Sequence, residues 1–102
     1  MLKQDVVSYL DEYLRLAECK DYGPQGLQVE SAAADIRQIA LAVDVAPHII
    51  KKAADWGADM LLVHHGLLWR SVERIAGPLG ERVRLLMAHN MHLYAAHLAL
   101  DG

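Results

Sequence analysis

Cysteine is almost absent from this sequence. Cys19 is the only one in 102 residues. No intramolecular disulfide can form, and the chain suits a reducing, cytoplasmic compartment. A lone thiol with no second metal-spaced cysteine also lacks an activating partner, so Cys19 reads as an ordinary small residue. A basic excess is missing as well. The net charge is −3 and the lysines and arginines are scattered, which gives no field for a polyanion and argues against nucleic acid as a partner. No apolar run reaches the ~20 residues that span a bilayer. The opening stretch MLKQDVVSYL carries Lys3, Gln4 and Asp5 and does not read as a secretory signal. Repeats and low-complexity segments are lacking, and Gly23, Gly26, Gly77 and Gly80 do not compose a phosphate-cradling loop.

What is present is the composition of a folded protein. Hydrophobic residues make up 54% of the chain, and a domain of this size can bury a core without covalent staples. The expected organisation is one α/β lobe over residues 1–102. Leu2 to Leu16 has the periodicity of an amphipathic helix, with Val6, Leu10, Tyr13 and Leu14 on one side. Asp21 to Gly26 is a Gly/Pro loop, and Leu27 to Val29 a short extended piece. Ile36 to Val43 is a mostly apolar run that suits a buried strand, and Asp59 to Val63 is a second strand, with Met60 to Val63 apolar on both faces as in a central parallel strand. Between them, Pro47 opens a helix that Gly57 stops. Gly66 to Gly80 reads as an irregular excursion, Glu81 to His89 as a further helix closed by Asn90, and Met91 to Ala96 as a last strand. The order αβαβαβ implies a parallel or mostly parallel sheet flanked by helices.

Open α/β sheets bind ligands outside the carboxyl ends of their strands. His64 and His65 follow the second buried strand, and His97 and Asp101 follow the last one. Adjacent residues in a regular strand point to opposite faces. Both histidines can share a rim only if the chain leaves the pleat, and Gly66 permits a bend there. Imidazole is the commonest side-chain metal ligand. A carboxylate can bridge two cations ~3.5–4 Å apart, so His97 would complete one metal and Asp101 join both. Taken singly, the histidine pair could be a coincidence, and His97 with Asp101 a simple hydrogen-bonded or helix-surface pair; it is their common position at strand ends that points to a metal site. Asp44 stands at the same rim. It could orient a ligand histidine, but a cap for the helix opened by Pro47 is the favoured reading. Trp69 could wall a pocket or simply pack. Tyr22 and Gln25 lie in a loop that could approach the site. His48, His89 and His92 read as bystanders.

The segments Tyr22 to Val29, Gly57 to Gly66 and Leu93 to Asp101 make the sequence resemble the NIF-three-like dinuclear-metal-centre family, the GTP cyclohydrolase I type 2 homologues. The resemblance covers nearly the whole chain and implies His64, His65, His97 and Asp101 as metal ligands. It implies two divalent ions (zinc, iron, nickel or manganese) and assembly into a ring-shaped homo-hexamer. The family pattern has a further His and Glu much later in the chain, with no counterpart here. Asp101-Gly102 also breaks off after a strongly patterned segment, so the expected identity is the amino-terminal portion of a longer member. Two function classes follow. One is a metal-dependent hydrolase of the GTP cyclohydrolase type acting on a small molecule, with all four residues as ligands. The other is a non-catalytic metal-handling or scaffold protein. Binding of nucleic acid inside a ring is a weaker third, opposed by the net charge.

Overall fold

The structure, a computed structural model, describes residues 1–14, 25–68 and 74–96. Helix α1 covers Lys3–Tyr13, strand β1 Gly26–Val29, strand β2 Ile39–Ala42 and helix α2 Pro47–Trp56. Strand β3 follows at Met60–Val63, helix α3 at Gly77–Ala88 and strand β4 at His92–Ala95. The expected α/β class is the observed one, with one addition. The extended piece at Leu27 to Val29 is a full edge strand, so the order is αββαβαβ and the sheet is mixed. Its strands lie in the order β1-β4-β3-β2. β3 is parallel to β2 on one side and to β4 on the other, whereas β1 runs antiparallel to β4.

Alternation along the strands divides the core into two layers. Met60, Tyr94 and Ala96 pack with Val6 of α1 and with Ile36. Leu61, Val63, Leu93 and Ala95 pack with Ile50 and Ala53 of α2 and Leu86 of α3. Thus α1 covers one face and α2 with α3 the other. Tyr94 is fully buried, and its hydroxyl donates to Asp11 Oδ1 at 2.7 Å, tying α1 to the sheet. Burial first, then the bond to Asp11, pushes this phenol well above its ordinary range. Among the described residues, no helix is long and apolar enough to cross a membrane.

Element ends follow local chemistry. α2 begins with Pro47 and ends at Gly57, whose φ of 93° is left-handed, as expected for a helix stop. Gln38 Nε2 donates to the orphan carbonyls of Trp56 and Gly57, at 3.1 and 3.0 Å. β2 starts three residues later than Ile36 because the N–H groups of Arg37 and Gln38 are claimed by the Asp59 carboxylate, at 2.9 and 3.3 Å, and not by a strand. α3 starts at Gly77, well before Glu81, with Pro78 in its first turn. Asn90 takes a positive φ of 52° after it, as expected.

His92 lies at the amino end of β4, opposite the candidate rim, and is fully buried. Its Nδ1 accepts from the Ser31 N–H at 2.9 Å and its Nε2 donates to the Ala33 carbonyl at 2.6 Å. One imidazole therefore anchors the connection between β1 and β2, a role more specific than a bystander's. We expect His92→Leu to leave both part-buried backbone groups without their imidazole partner and to cost about 1–3 kcal/mol of stability by urea denaturation; a loss below ~0.5 kcal/mol would contradict this anchoring.

Candidate functional site

Beyond Val63 the chain leaves the pleat, as two histidines at one rim require. His64 and His65 are bends, and their N–H groups bond the carbonyls of Ala42 and Val43 at 3.3 and 2.7 Å. These bonds carry the β2–β3 pairing past the end of the sheet. The two rings stand 4.5 Å apart, centre to centre, at 70°. Both side chains are partly exposed, in keeping with a ligand site open to solvent.

Asp44 settles one alternative. Its Oδ1 lies 2.8 Å from His65 Nδ1. The favoured reading of Asp44 as a helix cap fails, because the residue at the cap position of α2 is Ala46, which has no side-chain cap bond. Asp44 is two residues too early in the chain and turns instead toward the imidazole. A carboxylate accepts, so Nδ1 donates this bond, and Nε2 is the ring nitrogen a metal would use.

Gly66 is required for a different reason from the one the sequence suggested. Its φ is not positive. A Cβ there would collide with Gln28 Oε1 and stand 2.7 Å from the Cβ of Ala95. The close approach exists because Gln28, reaching from β1, grips the chain after the histidines. Its Oε1 accepts from the N–H groups of Leu67 and Leu68 at 2.8 and 3.1 Å, and its Nε2 donates to the Leu68 carbonyl at 3.2 Å. The side-chain amide thus acts as a short piece of strand, satisfying backbone where the ladder has ended. Sequence reasoning missed Gln28; its place in the extended piece two residues after Gly26 was the available signal.

On the α2/α3 side, His65, Asp44 and Gly66 open onto a cleft of about 420 Å³, closed by Leu79 and Arg82 of α3. Arg82 Nε donates to the Val45 carbonyl at 2.7 Å, fixing the loop that carries Asp44. β1 starts beside Ala95, with Gly26 as its partner, and Gln25 lines a different cleft from His65, with Asp11 on the α1 side. Its Oε1 is buried without a partner among the described residues. His48 and His89 are exposed, as expected.

Of the four proposed ligands, the structure brings His64 and His65 together. His97 and Asp101 lie outside the described residues, as do Cys19, Tyr22 and Trp69. Among the described residues, no group of three metal-capable side chains converges. The donor chemistry of the histidine pair nevertheless suits a metal: two imidazoles meet at one rim, and one of them is oriented by a carboxylate.

The comparisons agree with this architecture. The family model of Duf34/NIF3 (NGG1p interacting factor 3) matches residues 1–102. A GTP cyclohydrolase 1 type 2 homolog of Pyrococcus abyssi is 42% identical over 99% of this chain and 40% of its own length. One from Deinococcus radiodurans is 43% identical over 98% of this chain and 38% of its own. A crystal structure of a Thermus thermophilus protein superposes with a TM-score of 0.94 at 40% identity, covering all of this chain and 42% of that one. Reduced HcgD from Methanocaldococcus jannaschii gives 0.84 at 27% identity, over 99% of this chain and 41% of that one. The chain belongs to the Duf34/NIF3 family. It spans about 40% of the length of the curated relatives it matches.

The grip of Gln28 on the histidine turn has a measurable consequence. Gly66→Ala should destabilise the fold by about 1–3 kcal/mol through overpacking. In a Gln28→Ala background the added cost should shrink, with a coupling above ~0.5 kcal/mol in a double-mutant cycle. Additive effects in chemical denaturation would show that the two residues do not share this contact.

Proposed function

We propose that this chain contributes His64, His65, His97 and Asp101 to a dinuclear metal centre, and that the centre serves hydrolysis of the GTP cyclohydrolase type in a homo-oligomeric ring. The observation that carries the reading is the Asp44–His65 pair beside His64 at the carboxyl rim of the sheet. Carboxylate–imidazole pairing is how proteins fix the tautomer and aim of a metal-binding histidine. The β3–β4 register lends support. Val63 is level with Ala95, and the Ala96 N–H bonds the Val63 carbonyl at 3.0 Å. His97 follows Ala96 directly in the sequence.

In this reading His64, His65, His97 and Asp101 would be the residues of this chain that hold the two cations. The pair of divalent cations would supply Lewis acidity toward substrate and water. The chain's own residues do the positioning. Asp44 holds His65, Gln28 holds the turn that follows, and the cleft bounded by Leu79 gives the substrate a partly apolar wall. The GTP cyclohydrolase assignment comes from the names of the curated relatives, and the ring from the family resemblance.

Ligand count limits the chain on its own. Two cations with about four to six ligands each need about 8–12 donor positions. Three histidines and a bridging carboxylate supply five. Exposure of His65, whose side chain is 43% accessible, favours exchange of metal and gives the second reading, a metal-handling role, its support.

Calorimetric titration with Zn²⁺ separates these elements. The chain alone should hold fewer than two ions tightly. His64→Ala and His65→Ala should abolish tight binding, and Asp44→Asn should weaken it about 10–100-fold. Unchanged affinity in all three variants would end the metal assignment. Metal-dependent turnover of GTP by the longer, family-length protein, lost in His64→Ala, would favour hydrolysis; tight exchangeable metal without turnover would favour metal handling.

A further inference from the structure

We propose that the cleft beside His65 is a subsite for a phosphate-class oxyanion, with Arg82 as its recognising residue; this names the substrate chemistry of the site above and so rests on that site being the functional one. The cleft, with Asp44, Ala46, His65, Leu79 and Arg82 in its lining, has a volume of about 420 Å³. That exceeds what an isolated phosphate requires and lies within the range of small-molecule sites.

The chemistry of the wall selects charge. Arg82 is half-buried, and two bonds hold its guanidinium: Nε to the Val45 carbonyl at 2.7 Å and Nη1 to the Pro78 carbonyl at 3.1 Å. These fix the plane of the group while leaving the Nη2 hydrogens outside both bonds. A tie to Val45 alone would need only one donor, whereas a planar fork held in place can present further donors to two oxygens of one anion. Two helix ends reinforce it. α2 begins immediately after Ala46, and α3 begins two residues before Leu79. Neither has a side-chain cap or an acidic residue in its first turn, so both project uncompensated partial positive charge. The one carboxylate among the described lining residues, Asp44, bonds His65 Nδ1 through Oδ1 and keeps its negative charge, so the anion must sit on the Arg82 side of the cleft, away from Asp44. At the Arg82 end, a phosphate group is matched by the fixed guanidinium, and a cationic group is opposed by it. The subsite therefore receives the anionic end of a substrate, in the same cleft that His65 lines.

The test is titration with inorganic phosphate in chloride buffer, followed by ³¹P NMR, on the chain stripped with EDTA and again after Zn²⁺ loading. Two variants carry it. Arg82→Leu removes the fork. Ala46→Asp places a favoured capping residue at the start of α2, which should preserve or raise the melting temperature while putting a carboxylate into the cleft. Expected is saturable phosphate binding by the metal-free chain, weakened about tenfold or more by each variant. No binding without metal, or binding that Ala46→Asp and Arg82→Leu both leave unchanged, would overturn the proposal. Phosphate that binds only after Zn²⁺ loading and ignores Arg82 would place the anion on the metal and overturn it equally. A Co²⁺ titration followed by visible absorbance scores the metal site separately. Failure there with phosphate binding intact would remove the metal reading and leave the oxyanion site standing.

Discussion

The parallel pairing of β3 between β2 and β4 is the constraint from which the candidate site follows. A parallel sheet sends every strand out at the same edge, so the residues after Val63 and after Ala95 emerge side by side. Both central strands are buried on both faces, which demands apolar side chains through their length and confines polar chemistry to their ends. The histidine pair sits where it does because the ladder stops there. The first two N–H groups beyond it still find carbonyl partners on the β2 side.

A ladder that has ended leaves backbone to be satisfied, and here side chains take over. Gln28 pairs with Leu67 and Leu68 from the antiparallel edge strand, and Arg82 pairs with Val45 from α3. The first holds the turn after His65; the second holds the loop that carries Asp44. The lack of a Cβ at Gly66 lets the amide of Gln28 approach, so one glycine, one glutamine and one arginine set the position of the imidazole that Asp44 orients. The rim is therefore built by neighbours from β1, the β2–α2 loop and α3, and not by the histidine segment alone.

This division explains what could be read from the sequence. The buried strands, α2 with its Pro47 start and Gly57 stop, and the placement of His64 and His65 at a strand end were legible, because each depends on residues adjacent in the chain. The antiparallel pairing of β1, the roles of Gln28 and His92, and the choice of Asp44 between cap and histidine partner were not. Each depends on contacts spanning 21 to 69 positions, for which periodicity carries no signal. The start of α3 was misplaced for a local reason: Gly77 and Gly80 suggested a loop, while Pro78 favours a first helical turn.

The central claim is that this rim gathers imidazoles and a carboxylate around metal. Anomalous diffraction from crystals of the chain grown with Zn²⁺ addresses it directly. The account predicts a metal peak ~2.0–2.1 Å from an imidazole nitrogen of the histidine pair, with the Nε2 of His65 as ligand and its Nδ1 still bonded to Asp44. Zinc found elsewhere, or bound through Nδ1 of His65 with Asp44 displaced, would contradict it.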